Sequence, residues 1–377
     1  MRTTVSQRGT ERMSRLNGWL AALTLGTAVL LIGGLALSMP QVALDASLKG
    51  LAVWWEVLFP ALFPFFVLSE LLLGFGVVHL TGTLLDPLMR PLFRIPGAGG
   101  FVVAMGFASG YPVGARLTSR LMDGKLVNRE EGERLVAMTT SSDPIFLIGA
   151  VCIGFFGRAD IVPVLAAAHY GGAMLLGILM RWGGRGEKAE DGGTRKKAER
   201  RRGGRLREAL AAMHRARQED GRTFAVMLQD SLRSSIQLMI VVGGLVVFFS
   251  ATLELLIHSG LLGTLRHLFV GLLHLAGASP SLSDSLIRGT FEVTLGARAA
   301  AEAGSVSGLP VPPLVDRVAA AAFVLSWGGL SVHAQVAGLM SRTSWRYGPF
   351  FRARLLHAVM AVALVYALWP YLYQPSS

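Results

Sequence analysis

Cysteine is what this chain has least of, and acid is scarce beside base. A single cysteine, Cys152, stands among 377 residues. That excludes an intrachain disulfide framework and a metal site of clustered thiolates. Charged residues make up only 16% against 52% hydrophobic. With a positive mean hydropathy, this excludes an ordinary soluble domain and points to a polytopic membrane protein. Asp and Glu number 24 against 36 Lys and Arg, a net charge of +12. Such a charge suggests nucleic acid when it is spread over a fold, but here it is concentrated. Residues 181–222 hold 14 Lys/Arg and 7 Asp/Glu, net +7. A basic loop between apolar spans is cytoplasmic under the positive-inside rule, with anionic lipid heads as a secondary partner. The lipid bilayer is therefore an expected partner and nucleic acid is not.

A span needs roughly 20 apolar residues. Arg2, Arg8, Arg12 and Arg15 precede the run Leu16–Leu37. The run exceeds the ~7–15 residues of a signal-peptide core and Ser38-Met39-Pro40 is a poor cleavage site. It is read as an uncleaved first span with a cytoplasmic N-terminus. Further spans are expected at Leu51–Leu80 (interrupted by Pro60 and Pro64), Leu135–Phe156, Ile161–Met180, Ile236–Ile257, Val315–Met340 and Leu355–Leu372. Leu261–Ala276, with His267 and His274, reads as an amphipathic or interfacial stretch. Arg90 and Arg94, the turn Asp123–Arg134, and Arg342, Arg346, Arg352 and Arg354 mark the cytoplasmic side.

Two further segments, Phe101–Leu121 and Leu286–Ala303, carry glycine or polar residues inside apolar sequence. Both contain Gly-Ala-Arg, at 114–116 and 296–298, 182 positions apart. Glu133-Arg134-Leu135-Val136-Ala137 and Asp316-Arg317-Val318-Ala319-Ala320 are 183 apart. Matched offsets indicate an internal duplication. Counting spans, the first broken segment enters from the cytoplasm and the second from the other side. The expectation is an all-α polytopic membrane protein with about seven spanning helices, two re-entrant hairpins, inverted-topology repeats and discontinuous helices. Its divisions are a tail and first span (1–40), repeat one (41–181), a basic loop (182–232), repeat two (233–340) and a last span (341–377).

Broken backbone at membrane depth is tolerated only where it is buried or lines a cavity, so the breaks nominate the site. The first offers Ser109, Gly110, Tyr111, Pro112 and Gly114. Pro112 removes an amide donor and Gly110 frees the backbone, leaving a half-helix whose positive end faces the break. Thr139-Thr140-Ser141-Ser142-Asp143-Pro144 interrupts the next span. An Asp143 in hydrocarbon would cost roughly 2.5–3.5 kcal/mol without a partner or a watery cavity. The second half offers Glu292, Thr294 and Gly296, then Ser326, Gly328, Gly329, Ser331, His333 and Gln335. Arg116 and Arg298 either snorkel to the interface or add positive potential. Two half-helix N-termini facing one cavity suit an anionic solute, with Ser109, Ser141, Ser142, Thr294 and Ser331 replacing its lost water. No cofactor, metal or catalytic residue is expected; the coupling ion is open, and self-association is compatible with this reading.

Trp54–Pro60, Phe107–Ala115, Phe291–Thr294 and Ser326–Gln335 together resemble the sporulation integral membrane protein family (YlbJ-type). That family lies in the nucleoside-recognition, or Gate, superfamily and is distantly similar to concentrative nucleoside transporters. The resemblance covers roughly residues 50–340. It implies a sporulation role in an endospore-forming bacterium, with movement of dipicolinate across the outer forespore membrane. It gives no role to the Arg181–Arg222 loop. Three other readings compete. An intramembrane hydrolase using Ser331 or Ser326 with His333 fails because residues two apart on a helix face different ways. A scaffold for spore-envelope assembly has no need of mirrored polar breaks. A carrier of another solute, a nucleoside or a metal, is the third; metal ligands here are scattered, and a nucleoside leaves the positive helix ends unexplained.

Overall fold

In the computed structural model, the structure describes residues 23–24, 26–182, 204–304 and 311–375. The start of the expected first span and residues 183–203 of the basic loop lie outside these. The described residues form helices and connecting turns without strands. Four helices are long and apolar enough to cross a bilayer, or six if each bent pair counts as one span.

The chain runs as one short helix followed by two passes through the same five elements. Helix α1 (Gly26–Ser38) meets α2 (Pro40–Val53) at a 105° bend. Proline at a helix start ends the preceding segment and pre-sets the next. In the first pass, helix continues from α2 through a π turn at Trp54–Leu58 into α3 (Phe59–Gly74). A surface helix α4 (Val77–Phe93) follows. Then come the hairpin of α5 (Ala98–Ser109) and α6 (Tyr111–Asp123), and a broken span of α7 (Arg129–Thr139) and a π helix (Ile145–Phe155). The closing span is α8 (Val162–Met180). After α9 (Arg205–Asp220), the second pass has a long helix α10 (Phe224–His258) and a surface helix α11 (Gly263–Leu275). It continues with the hairpin of α12 (Ser283–Phe291) and α13 (Val293–Ala301), the broken span of α14 (Leu314–Trp327) and α15 (Gly329–Met340), and the closing span α16 (Tyr347–Leu372). Corresponding elements start at 40 and 224, 77 and 263, 98 and 283, 129 and 314, and 162 and 347. The near-constant offset is the structural counterpart of the repeated tripeptide.

Contacts at the two ends show that the passes run in opposite directions. One end gathers Arg94 onto the Arg181 carbonyl (3.1 Å), Arg134 onto the Arg94 carbonyl (2.8 Å) and Arg346 onto Glu133 (2.9 Å). The other gathers Arg288 on Glu254 (2.5 Å), Arg158 on Tyr373 (2.9 Å) and Tyr366 on Asp316 (2.7 Å). The α6–α7 turn sits at the first end and the start of α14 at the second. Hairpin one therefore enters from the basic face and hairpin two from the opposite face.

Several sequence expectations move. Leu51–Leu80 is not one continuous helix: the chain turns at Gly76 (φ 77°), and the helices either side differ by 83°. The Ile236–Ile257 span begins at Phe224, and the Leu355–Leu372 span at Tyr347. Part of the expected basic loop is the helix α9, packed against α4. Arg354, counted as a cytoplasmic marker, is fully buried. Helix α11 has no buried residue.

Each hairpin closes on a glycine pair. A methyl at Gly296 would sit 2.3 Å from the Gly289 Cα, and one at Gly106 would sit 3.4 Å from the Gly114 Cα. Both members of the first pair pack on Thr139, and both members of the second on Val324. We expect Gly296→Ala to lower the melting temperature in detergent, at an overpacking cost of about 1–3 kcal/mol. Gly244→Ala, with open space around it, should leave it unchanged. Equal melting of both variants would contradict the close crossing.

Candidate functional site

The site is assembled where four helix breaks meet. Gly110 (φ 83°, ψ −173°) separates α5 from α6, a conformation that favours glycine. A side chain added there would approach Asp143 to 3.3 Å. The second break, residues 140–143, precedes the π helix. There the Asp143 Oδ1 accepts the Phe146 amide at 2.8 Å, so the carboxylate caps the helix it introduces. The third break is Glu292, which is extended (φ −143°). Its Oε2 accepts the Leu295 amide at 2.9 Å and its Oε1 the Thr294 hydroxyl at 3.2 Å. The fourth is Gly328 (φ 87°) followed by Gly329 (φ 72°), whose backbone abuts Phe291 and Glu292.

A cavity of about 30 Å³ lies among these breaks. Tyr111, Pro112, Asp143, Glu292, Ser331 and Gln335 line it, closed off by Leu58, Leu62, Phe146, Val242, Val246, Val293 and Val332. On this measure a water takes at least ~10–15 Å³, so the space suits one or two waters and not an aromatic dicarboxylate. Asp143 and Glu292 put two carboxylates on its wall. Each already occupies a helix-start amide, so those amides are not bare.

The remaining nominated residues have other places. Gly114 and Gly296 pack the hairpin crossings. Thr294 bonds Glu292. His333 accepts from the Tyr347 hydroxyl (2.8 Å) and donates to the Trp327 carbonyl (3.2 Å) while its ring packs tilted against Trp327, so it packs structure behind the cavity. Ser109 and Ser141 are fully buried, with hydroxyls that have no hydrogen-bond partner among the described residues. Arg116 is held by Glu70 (2.8 Å) and Ser234 (2.5 Å), and Arg298 by Glu302 (2.8 Å). Neither reaches the cavity wall. No cluster of three or more His, Cys, Asp or Glu side chains able to hold a metal occurs among the described residues.

Behind the cavity is a polar layer that the sequence did not disclose. The last four carbonyls of a helix lack intrahelical partners, and α14 ends in apolar surroundings. Its carbonyls are taken one by one. Gly328 N–H takes Val324 (2.9 Å), the Tyr111 hydroxyl takes Leu325 (2.9 Å), Arg354 Nη2 takes Ser326 and His333 takes Trp327. Arg354 also donates through Nη1 to Ala137, in the last turn of α7, at 3.2 Å. One buried guanidinium thus sits against the negative ends of both half-helices. His169 on α8 joins the same breaks. Its Nε2 accepts the Ser142 amide (3.0 Å), which puts the proton on Nδ1, and Nδ1 donates to the Ser326 hydroxyl (3.0 Å). His357 donates to the His169 carbonyl (2.9 Å), and the Tyr170 hydroxyl to the Ser142 carbonyl (3.1 Å). No local pattern marks Arg354 or His169; only the packing of α8 and α16 behind the breaks does.

Removing the guanidinium strands two buried carbonyls. We expect Arg354→Met to destabilise the protein by about 1–3 kcal/mol per stranded group, read as a fall in melting temperature. Ser326→Ala should cost about 1 kcal/mol. An Arg354→Met protein as stable as the wild type would contradict the clamp.

The nucleoside recognition family model, Gate, matches residues 55–166, which include the first hairpin and broken span. The "Sporulation integral membrane protein YlbJ" of Bacillus subtilis (strain 168) is 43% identical over 361 residues, covering 96% of this chain and 85% of that protein. No solved structure matches the chain. The chain belongs to the family of YlbJ sporulation integral membrane proteins.

Proposed function

We propose that this protein carries a small dicarboxylate, dipicolinate, across the outer forespore membrane during sporulation by alternating access, with its N-terminus in the cytoplasm. The repeat units of this carrier are residues 40–180 and 224–372. The observation that carries the proposal is the convergence of two oppositely inserted hairpins and two broken spans on one polar cavity, the arrangement of inverted-repeat transporters. The membrane setting and the sporulation relative support it; the choice of dipicolinate follows from the family resemblance.

The closed cavity sets a condition on the mechanism. Asp143 and Glu292 hold the helix-start amides that the substrate's two carboxylates would take. Entry of the dianion exchanges one pair of carboxylates for another at the positive helix ends. Four carboxylates in one apolar enclosure repel strongly, so protons or a metal cation accompany the substrate. Tyr111 couples this exchange to the other half, because its ring lines the cavity while its hydroxyl holds the end of α14.

A second reading keeps the carrier and changes its cargo. The two wall carboxylates, with no cationic side chain on the wall, also suit a neutral solute rich in hydroxyl donors, such as a nucleoside.

Uptake into proteoliposomes separates these readings. Wild-type vesicles are expected to accumulate labelled dipicolinate under an inward proton or cation gradient. Glu292→Gln and Tyr111→Ala should each lose at least about tenfold, the scale of ~1.4 kcal/mol. Uptake of uridine in place of dipicolinate would favour the second reading. Absence of uptake of either solute under every gradient would overturn the carrier.

A further inference from the structure

A second space with polar walls lies away from the breaks, on the basic face. It is a cleft of about 410 Å³ lined by Asp123, Lys125, Asn128, Arg129, Arg342, Thr343 and Ser344, together with Met122 and Val127. Its volume falls in the ~300–1,000 Å³ range of small-molecule sites, whereas the midplane cavity is too small for an organic anion. Three cations face one acid, and none of the three forms an ion pair among the described residues, although Asp123 lines the same cleft. The Arg129 Nε is buried without a hydrogen-bond partner among the described residues. Elsewhere on this face arginines are engaged: Arg346 by Glu133, Arg94 and Arg134 by backbone carbonyls. An excess of cations around a concave space with hydroxyl and amide groups presents the chemistry that holds a carboxylate or phosphate.

Its position joins it to the translocation site. The cleft is walled by the α6–α7 turn and by the α15–α16 turn. Helix α6 starts with Tyr111 and Pro112 at the cavity and ends at Asp123 in the cleft. Helix α15 brings Ser331 and Gln335 to the cavity and ends beside Arg342. The two helices pack against each other, so one seam runs from cleft to cavity. A helix of 13 residues spans about 20 Å at 1.5 Å per residue. The cleft and the cavity are thus two separate positions, joined by that seam.

We propose that this cleft is the cytoplasmic capture site for the transported dianion, holding its carboxylates on Lys125, Arg129 and Arg342 before the gate opens. The assignment rests on the carrier reading above. It adds a second, peripheral site to that reading, and the two are separable by experiment. Capture by charge raises the local anion concentration at the mouth of the seam and weakens with salt.

The test compares wild type with the double variant Lys125→Gln/Arg342→Gln in inverted membrane vesicles, whose cytoplasmic face is outside. The half-saturating concentration of dipicolinate should rise about tenfold with the maximal rate unchanged, in the range that steering effects span. The wild-type value should rise with added salt and the variant's should not. Equal half-saturation in the two proteins would overturn the capture site while leaving the carrier intact. If wild-type vesicles transport nothing, the carrier reading falls, and calorimetry on the detergent-purified protein decides the cleft alone. There, dipicolinate binding lost in the double variant upholds the site, and equal binding overturns it. Phosphatidylglycerol, the other local source of an anionic group, is titrated in parallel. If the two substitutions remove only stabilisation by that lipid, the cleft is a headgroup site and the proposal fails.

Discussion

A helix broken inside a membrane must find partners within the protein for the amides and carbonyls it frees, because hydrocarbon offers none. The architecture follows from how that demand is met at four places. At the starts of α13 and the π helix, side-chain carboxylates take the amides. At the end of α14, four different groups take four carbonyls, and one of them, Arg354, reaches across to the end of α7 as well. A guanidinium suits this position because its planar fork supplies several donors in fixed directions. The helix ends it touches carry partial negative charge, which offsets the burial of a cation. Tyr111, Arg354 and His169 each bond to the last turn of α14. Movement of either half-helix therefore disturbs bonds held by the other repeat.

The duplicated plan explains why the breaks meet. Two copies of one five-element unit, inserted in opposite senses, are related by an axis near the membrane midplane, and whatever lies close to that axis is brought together from both. Gly110 and Glu292 are counterparts at the Gly-Ala-Arg offset of 182, yet they end their hairpins differently. One is a glycine in a conformation that favours glycine; the other is a carboxylate capping the next helix. The pair shows how one break was solved by backbone freedom in one copy and by a side chain in the other.

Much of this was legible in the sequence. Ser109-Gly110-Tyr111-Pro112, Thr139–Pro144 and Ser326–Gln335 stand out because glycine, proline and hydroxyl residues interrupt apolar runs. Glu292 stands out as an intramembrane charge beside a repeated tripeptide. Six of the seventeen nominated residues line the cavity itself. Only tertiary packing separates the rest. Gly114 and Gly296 are needed for helix crossing, and nothing local separates a crossing glycine from a site glycine in a chain with 45 of them. Arg354 lies close to Arg342, Arg346 and Arg352 in sequence and was read with them by the positive-inside rule. Its burial depends on α16 starting at Tyr347, which places it two turns inside the helix. The π geometry of Ile145–Phe155 leaves no compositional trace in an unbroken apolar run.

The central claim is that the two hairpins enter from opposite faces. Single cysteines at Asp123, in the α6–α7 turn, and at Ser281, before α12, report it most directly in a Cys152→Ser background. A membrane-impermeant maleimide applied to right-side-out and to inverted vesicles reads each side. The account predicts that Asp123→Cys is labelled only from the cytoplasmic side and Ser281→Cys only from the opposite side. Labelling of both from the same side would contradict it.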